Sequence, residues 1–461
     1  MGDDMSDDDQ DIRSFQIRCA TEATGAEQTA RACLARIAAH DRNGVKLAAM
    51  LRVYPEAIEV ARARDRERFR GAAKNLPSLQ GVPIAVKDNI DLLNDPTTSG
   101  CRALAGAMPR KTAPALAALL GAGAVVIGKT NLSEFSFEIR SRSSLGGDTR
   151  NPFAPMVTSG GSSGGTAVAV AAGFAMAGLG TDTGGSIRIP AAYNGLVGLR
   201  PTWGVVPITG VAPLAPSTDT VGTITRSVDD AMTMFAVLSA NHNQRLRSAR
   251  GMRVGVIRQL TGAVPMIAAG LENAVAALCA AGVDVDDAPD LPQNLIPAGD
   301  HIVDEEFGLA FDRYLRGNFH EKTAPASLAA LIASGQYLPE YDINLKARAR
   351  PRNPEIRTAI LIRHAHLRSA LDTIINEGRY DALLYPPSAV LPLSMDNPKG
   401  GWAPELAACS GWPALAVPVG QSAQGFPLSV ELLARANAEP TLFTLGAAIE
   451  RAMPRRLIPS W

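Results

Sequence analysis

The sequence predicts an α/β fold, and three stretches carry that expectation. Residues 115–123 (ALAALLGAG) pattern as a helix and run straight into the β-branched segment Ala124–Ile127 (AVVI). Met252–Ile257, Val264–Ala281 and Val283–Val285 read as strand, helix and strand. A long helix over 356–376 then leads to an apolar strand at Ala382–Tyr385. Helices that deliver the chain into buried strands fit a layered α/β architecture.

The remaining elements follow in chain order. Residues 1–13 begin with a dense run of Asp that repels itself and buries nothing, so a disordered acidic N-terminus is expected there. Residues 14–75 read as helical, with Thr29–Ile37 and Ile58–Arg68 mixing Ala, Arg and Glu with spaced apolar positions. From Leu79, LQGVPIAVKDNI reads as a short apolar strand with a lysine at its end. Between Ser159 and Gly204 the chain is rich in Gly and Ser around an Ala-rich helix, Thr166–Met176. These glycines flank apolar segments, which points to tight backbone approaches inside a core and not to a linker. Residues 290–355 have no clear period and carry scattered aromatics, and are expected to be a variable, largely helical region. A strand pair at Ala414–Val419 and Leu428–Leu433 precedes a closing amphipathic helix, Thr441–Met453. There is no internal repeat.

Bulk properties narrow the function. With 461 residues, 46% of them hydrophobic, the chain can bury a sizeable core. Its 45 Lys and Arg balance 45 Asp and Glu, which gives no electrostatic reason to sit on nucleic acid or an anionic membrane. Cys19, Cys33, Cys101, Cys279 and Cys409 are scattered, with neither zinc spacing nor a disulfide framework. The most apolar stretch, Ala167–Leu179, is shorter than the ~18 residues a membrane span needs. The N-terminus lacks the apolar run of a secretory signal. A cytoplasmic location is expected, with no zinc site and no nucleic-acid or membrane partner. The oligomeric state is not readable, a homodimer being one option.

Three motifs compete for the chemistry. GAVVIGKT at 123–130 fits the P-loop pattern, but a P-loop needs its middle residues in a loop and Ala-Val-Val-Ile favours a buried strand. GGSSG at 160–164 fits the nucleophile elbow of Ser–His–Asp hydrolases. That elbow needs a strand before it, whereas NPFAPMVTS reads as a loop. His242, His301, His320, His364 and His366 do not sit in a catalytic-looking context, and His364 and His366, two apart on a helix, point to different faces. The basic run Lys346–Arg352 reads as a solvated surface.

The third pattern is a set of ordered blocks: GVPIAVKDN at 81–89, GAVVIGKTNLSEF at 123–135, TRNPF at 149–153, GGSSGG at 160–165, GTDTGGSIRIPAAYNGLVGLRPT at 180–202 and GWPALAVPVG at 411–420. Together they resemble the amidase signature family, strongly over about residues 75–240 and more weakly over 380–450. The resemblance implies one domain over 14–461, a mixed central β-sheet covered by helices on both sides, with 290–355 on the substrate side. It implies cleavage of C–N amide bonds with Ser186 as nucleophile, Ser162 as relay after a cis peptide bond, and Lys87 as base. It also implies backbone donors from Thr183, Gly184, Gly185 and Ser186 for the oxyanion, with Ser163 and the pair Asp182–Arg188 in support.

The residue types allow that chemistry. A serine hydroxyl needs a base to take its proton. Lys87 can serve only when neutral, and burial at the end of the apolar Ile84–Val86 run favours the neutral amine. Asp88 would oppose this if it faced Lys87, but adjacent strand residues point to opposite faces. Arg188 is expected to brace the loop with Asp182, the alternative being a grip on a substrate carboxylate.

By the same resemblance, Phe135–Arg142 should line the acyl pocket. Phe137, Glu138, Arg140 and Tyr193 are the candidate substrate contacts, with Trp402 and Trp412 as further aromatic candidates. Many relatives carry an Asn where this chain has Ala407-Ala408-Cys409-Ser410, so the pocket wall differs there. The rival readings are an amidotransferase A-type subunit that works with partners, a hydrolase of urea-type, hydrazide or ester substrates on the same triad, and a non-hydrolytic binding protein.

Overall fold

The computed structural model describes residues 11–70, 77–241, 245–297, 302–350, 352–396, 405–453 and 457–459. Residues 1–10, His242, His301 and Trp402 lie outside them. The first helix, Ile12–Thr21, starts inside the segment expected to be disordered. Asp11 caps it, accepting a bond from the Ser14 N–H at 2.6 Å.

Eleven of the described strands form one sheet. In chain order the strands are β1 (Met50–Val53), β2 (Pro83–Lys87), β3 (Val125–Thr130), β4 (Arg142–Ser143), β5 (Gly147–Asp148), β6 (Ala177–Asp182), β7 (Val197–Arg200), β8 (Thr220–Thr225), β9 (Arg253–Val256), β10 (Asp284–Asp287), β11 (Ala382–Tyr385), β12 (Ala414–Gln421) and β13 (Pro427–Leu433). The sheet runs β1-β3-β2-β6-β8-β7-β12-β13-β11-β9-β10, while β4 and β5 pair separately. β2 is parallel to both β3 and β6, and β9 is parallel to β10 and β11. The other pairings are antiparallel, so the sheet is mixed as expected.

Helices pack against this sheet: Gly164–Ala171 on β2 and β6, Pro265–Ala280 on β13, and Glu439–Ala452 on β12. The Gly164–Ala171 helix stops five residues short of the expected Met176, because Gly173 takes a left-handed φ of 73°. The glycines around it do mark close backbone approaches. A Cβ on Gly165 would stand 2.2 Å from Asn131 O, and one on Gly178 would stand 2.3 Å from Thr166 Cγ2. The region 290–355 is largely helical, with Ile302–Asn318, Leu328–Ser334 and Asp342–Arg348. Its aromatics Phe307, Phe311 and Tyr341 form a cluster with Phe135 and Phe137.

The P-loop reading fails on structure. The residues after Gly123 form β3, and the Lys129 ammonium sits 2.8 Å from Asp88 Oδ1, fully buried.

Candidate active site

Lys87 closes β2, and Thr181 and Asp182 close its parallel neighbour β6, so their side chains emerge at adjoining carboxyl ends. Lys87 Nζ lies 2.7 Å from Ser162 Oγ and 2.8 Å from Thr181 Oγ1, which also accepts from Asn89 Nδ2 at 3.0 Å. Lys87 is fully buried. That burial pushes its pKa from 10.5 down to about 7, against the opposing pull of Asp182 and Asp219. Asp88 turns away, as expected. Its Oδ1 accepts from Arg52 Nη2 at 2.7 Å and pairs with Lys129.

Ser162 follows a cis peptide bond from Gly161. Its carbonyl accepts from the Ser133 N–H at 3.1 Å and from Ser141 Oγ at 3.2 Å. Ser163 ties this loop to the next: its N–H donates to Ser186 O at 3.1 Å and its Oγ to Thr181 O at 3.1 Å.

A buried ionic knot shapes the 182–188 segment. Asp182 accepts from the N–H groups of Gly185 and Ile187, each at 3.0 Å, and from Arg188 Nε and Nη2, each at 3.2 Å. Arg200 Nη1 adds a bond at 2.9 Å. Arg188 Nη1 continues to Glu431 Oε1 at 2.5 Å, and Glu431 accepts from the Tyr385 hydroxyl at 2.7 Å. Burial alone would raise the Asp182 carboxyl, but the Arg188 and Arg200 guanidiniums hold it below the usual carboxylate range. Arg188 therefore braces the loop, and it is not among the residues lining the cavity over Ser186. Arg200 and Glu431 were not singled out in the sequence. The available signal was a lone carboxylate in the otherwise uncharged β13.

One of the backbone groups expected to meet an oxyanion is engaged elsewhere. The Gly185 N–H is already committed to Asp182, and Gly185 takes a φ of 138° to reach it. Among the described residues, the N–H groups of Thr183, Gly184 and Ser186 have no protein acceptor, and all three residues line a cavity of about 280 Å³. Thr183 is fixed by its hydroxyl, which donates to Asp219 Oδ1 at 2.6 Å.

Phe137 and Glu138 line this cavity; Arg140 and Tyr193 do not. Arg140 is held by Glu138 at 3.1 Å and by Glu340. The Tyr193 hydroxyl bonds Ser388 Oγ at 2.9 Å, away from the cavity. Trp412 is buried in a separate cluster. The cavity gains instead Asp304, Arg348 and Glu405. Arg348 lies 4.2 Å over the Phe137 ring and donates to Asp304 at 2.8 Å. The aperiodic 290–355 segment gave no way to single out Asp304 or Arg348. No group of three His, Cys, Asp or Glu suited to a metal occurs among the described residues, and no described helix is long and apolar enough to cross a membrane.

Comparison with known proteins identifies the family. The family model described as Amidase matches residues 28–443. The A-type chain of glutamyl-tRNA(Gln) amidotransferase from Chloroflexus aggregans (strain MD-66 / DSM 9485) is 32% identical over a 484-residue alignment that covers 94% of each chain. Its counterpart from Anaeromyxobacter sp. (strain K) is 40% identical over 283 residues, 58% of this chain and 56% of that one. Native peptide amidase from Stenotrophomonas maltophilia superposes with a TM-score of 0.85 at 32% identity, covering 98% of both chains. An amidase family protein from Bacillus anthracis str. Ames gives 0.86 at 27% identity, covering 98% of this chain and 92% of that one. With a family match across most of its length and relatives of this identity and coverage, the chain belongs to the amidase family, whose signature its Gly/Ser-rich blocks carry.

Proposed function

We propose that the chain is an amidohydrolase that cleaves the C–N amide bond of a small molecule through an acyl-enzyme on Ser186. The observation that carries this reading is the 2.7 Å approach of a fully buried Lys87 Nζ, with a pKa near 7, to Ser162 Oγ. A neutral amine there has a lone pair to offer the Ser162 hydroxyl while one of its N–H bonds goes to Thr181 Oγ1.

Lys87 takes the Ser162 proton as Ser162 takes that of Ser186, and Ser186 Oγ adds to the carbonyl carbon. The tetrahedral oxyanion meets the N–H groups of Thr183, Gly184 and Ser186, each such donor contributing about 2.7–4 kcal/mol. The proton returns through Ser162 to the leaving nitrogen, the C–N bond breaks, and ammonia or an amine departs. Water, deprotonated by the same relay, adds to the acyl-enzyme, and the acid leaves as Ser186 recovers its proton. No step draws on a cofactor. The five free cysteines fit a reducing, cytoplasmic setting.

The named amidotransferase relatives favour a second reading, a glutaminase that works with partner subunits. The same acyl-enzyme also forms from esters, hydrazides and urea-type compounds. A panel of aryl, aliphatic and peptide amides, glutamine and urea-type compounds, assayed with wild type and Ser186→Ala, separates these readings. Turnover of any amide by the purified chain, lost in Ser186→Ala, supports the amidohydrolase. Turnover of glutamine alone, appearing only with added partner subunits, moves the assignment to the amidotransferase type. Full activity in Ser186→Ala overturns both.

A further inference from the structure

A second, larger cavity of about 820 Å³ lies where the helices Ile302–Asn318 and Pro354–Gly378 approach Trp203. It is set apart from the cavity over Ser186, but Ala408 and Cys409 line both.

The charge around this cavity does not balance. Arg313, Arg352, Arg357 and Arg368 reach it, against Glu305 and Glu306. Glu306 is already answered by Arg357 at 2.7 Å and by the Ser217 N–H at 2.9 Å, and Glu305 accepts from the Asn353 N–H at 3.3 Å. Among the described residues, Arg313 and Arg368 have no carboxylate within ion-pair distance, while Glu305, Asp304 and Glu306 act on Arg352 from beyond that distance and return less than its partial burial costs. Neighbouring surface cations do find partners, as Arg316 does in Asp312 at 2.7 Å and Lys346 in Asp342 at 2.8 Å. Two of the three guanidiniums are held in place by backbone carbonyls. Arg352 Nη2 donates to Arg348 O, and Arg368 Nε donates to Ser410 O at 2.7 Å. Cations that are positioned and not closed into an ion pair are set to receive an anion. Beside them, Trp203 and Leu309 stay 48% and 52% exposed, large apolar side chains at a cavity wall.

We propose that this cavity binds a carboxylate carried on an apolar or aromatic body, with Arg313, Arg352 and Arg368 taking the charge and Trp203 and Leu309 the body. The carboxylate belongs either to the far end of an extended substrate or to a separate ligand. The site itself does not depend on the role given to Ser186.

Isothermal titration calorimetry with 4-phenylbutanoate and 6-phenylhexanoate, against 4-phenylbutanol and 6-phenylhexanol, tests the site. In wild type the acids bind about tenfold or more tighter than the alcohols, since a charge-assisted pair is what the alcohols lack. Arg313→Gln, at an exposed position that leaves the fold intact, and Arg352→Gln each weaken the acids severalfold, and the double variant removes the preference. Thermal melts check that the variants fold. In amide hydrolysis, competitive inhibition by the acids assigns the site to the substrate's far end, and non-competitive inhibition to a separate ligand; both keep the site. Equal binding of acids and alcohols, or acid binding that survives in the double variant, overturns the proposal.

Discussion

Moving a lysine ammonium out of water disfavours its charged form, and Lys87 is fully buried. Its carboxylate neighbour in sequence, Asp88, is turned to Arg52 and Lys129, so the charges that still favour the ammonium are the more distant Asp182 and Asp219. Two measurable consequences follow from a pKa of about 7. Hydrolysis measured as kcat/KM should rise about tenfold per pH unit below that value and level off above it. Lys87→Met should lower the rate by about 10²–10⁴ and flatten the profile. Stability should respond as well. Below pH 7 both folded and unfolded chains hold the Lys87 proton, and the folded state bears the full cost of a buried charge. Between about 7 and the ordinary 10.5 only the unfolded chain still holds it, so stability climbs with pH across that window. Lys87→Met should therefore be more stable than wild type at pH 6, by a few kcal/mol, with the gap closing toward pH 10. A gap independent of pH in denaturant titrations would contradict the assignment of a depressed pKa to Lys87.

At the scale of elements, the segment after β6 works because side chains from three strands hold it. Asp182 comes from β6, Arg200 from β7 and Glu431 from β13, with Arg188 joining two of them. Removing one member of a buried charge network leaves the others unpaired, which typically costs about 3–5 kcal/mol. Arg188→Met should show a loss of that order in urea unfolding, together with lost hydrolysis. Arg188→Lys should not rescue it, since one ammonium cannot replace a fork that bonds Asp182 twice and Glu431 once. A stable, active Arg188→Met would contradict the bracing role. The local partners of this network were legible: Asp182 and Arg188 stand four before and two after Ser186 in one block. Arg200 and Glu431 were not, because they join the network only when β7 and β13 are brought together through β12. The commitment of the Gly185 N–H to Asp182 was hidden for a similar reason, since it depends on a backbone φ and not on residue type.

For the whole molecule, strands with strong apolar runs were mostly legible and strands built from Gly and Thr were not, while the short edge strand β1 (MLRV) fell inside 14–75, a stretch read as helical. Ala382–Tyr385 was placed to the residue, whereas β6 (AGLGTD) and β8 (TVGTIT) were not assigned as strands, and the parallel β2–β6 pair that unites Lys87 with Thr181 depends on β6. The cavity wall was half legible: Phe137 and Glu138 directly follow the block at 123–135 and were reached through the family resemblance, while Asp304 and Arg348 come from a segment without a period. The sheet's outer strand β10 is Asp-Val-Asp-Asp, an edge that repels another strand. Asp284→Val combined with Asp286→Val should promote concentration-dependent association in light scattering while leaving hydrolysis per chain unchanged. Unaltered monodispersity would show that the edge charges do not protect it. The central claim, covalent catalysis on Ser186, is tested most directly by acid-quenching the enzyme during turnover of an activated ester and mapping the acyl mass increment by peptide mass spectrometry. The account predicts the increment on the peptide containing Ser186 in wild type and its absence in Ser186→Ala; an increment on a different residue, or one that persists in Ser186→Ala, would contradict it.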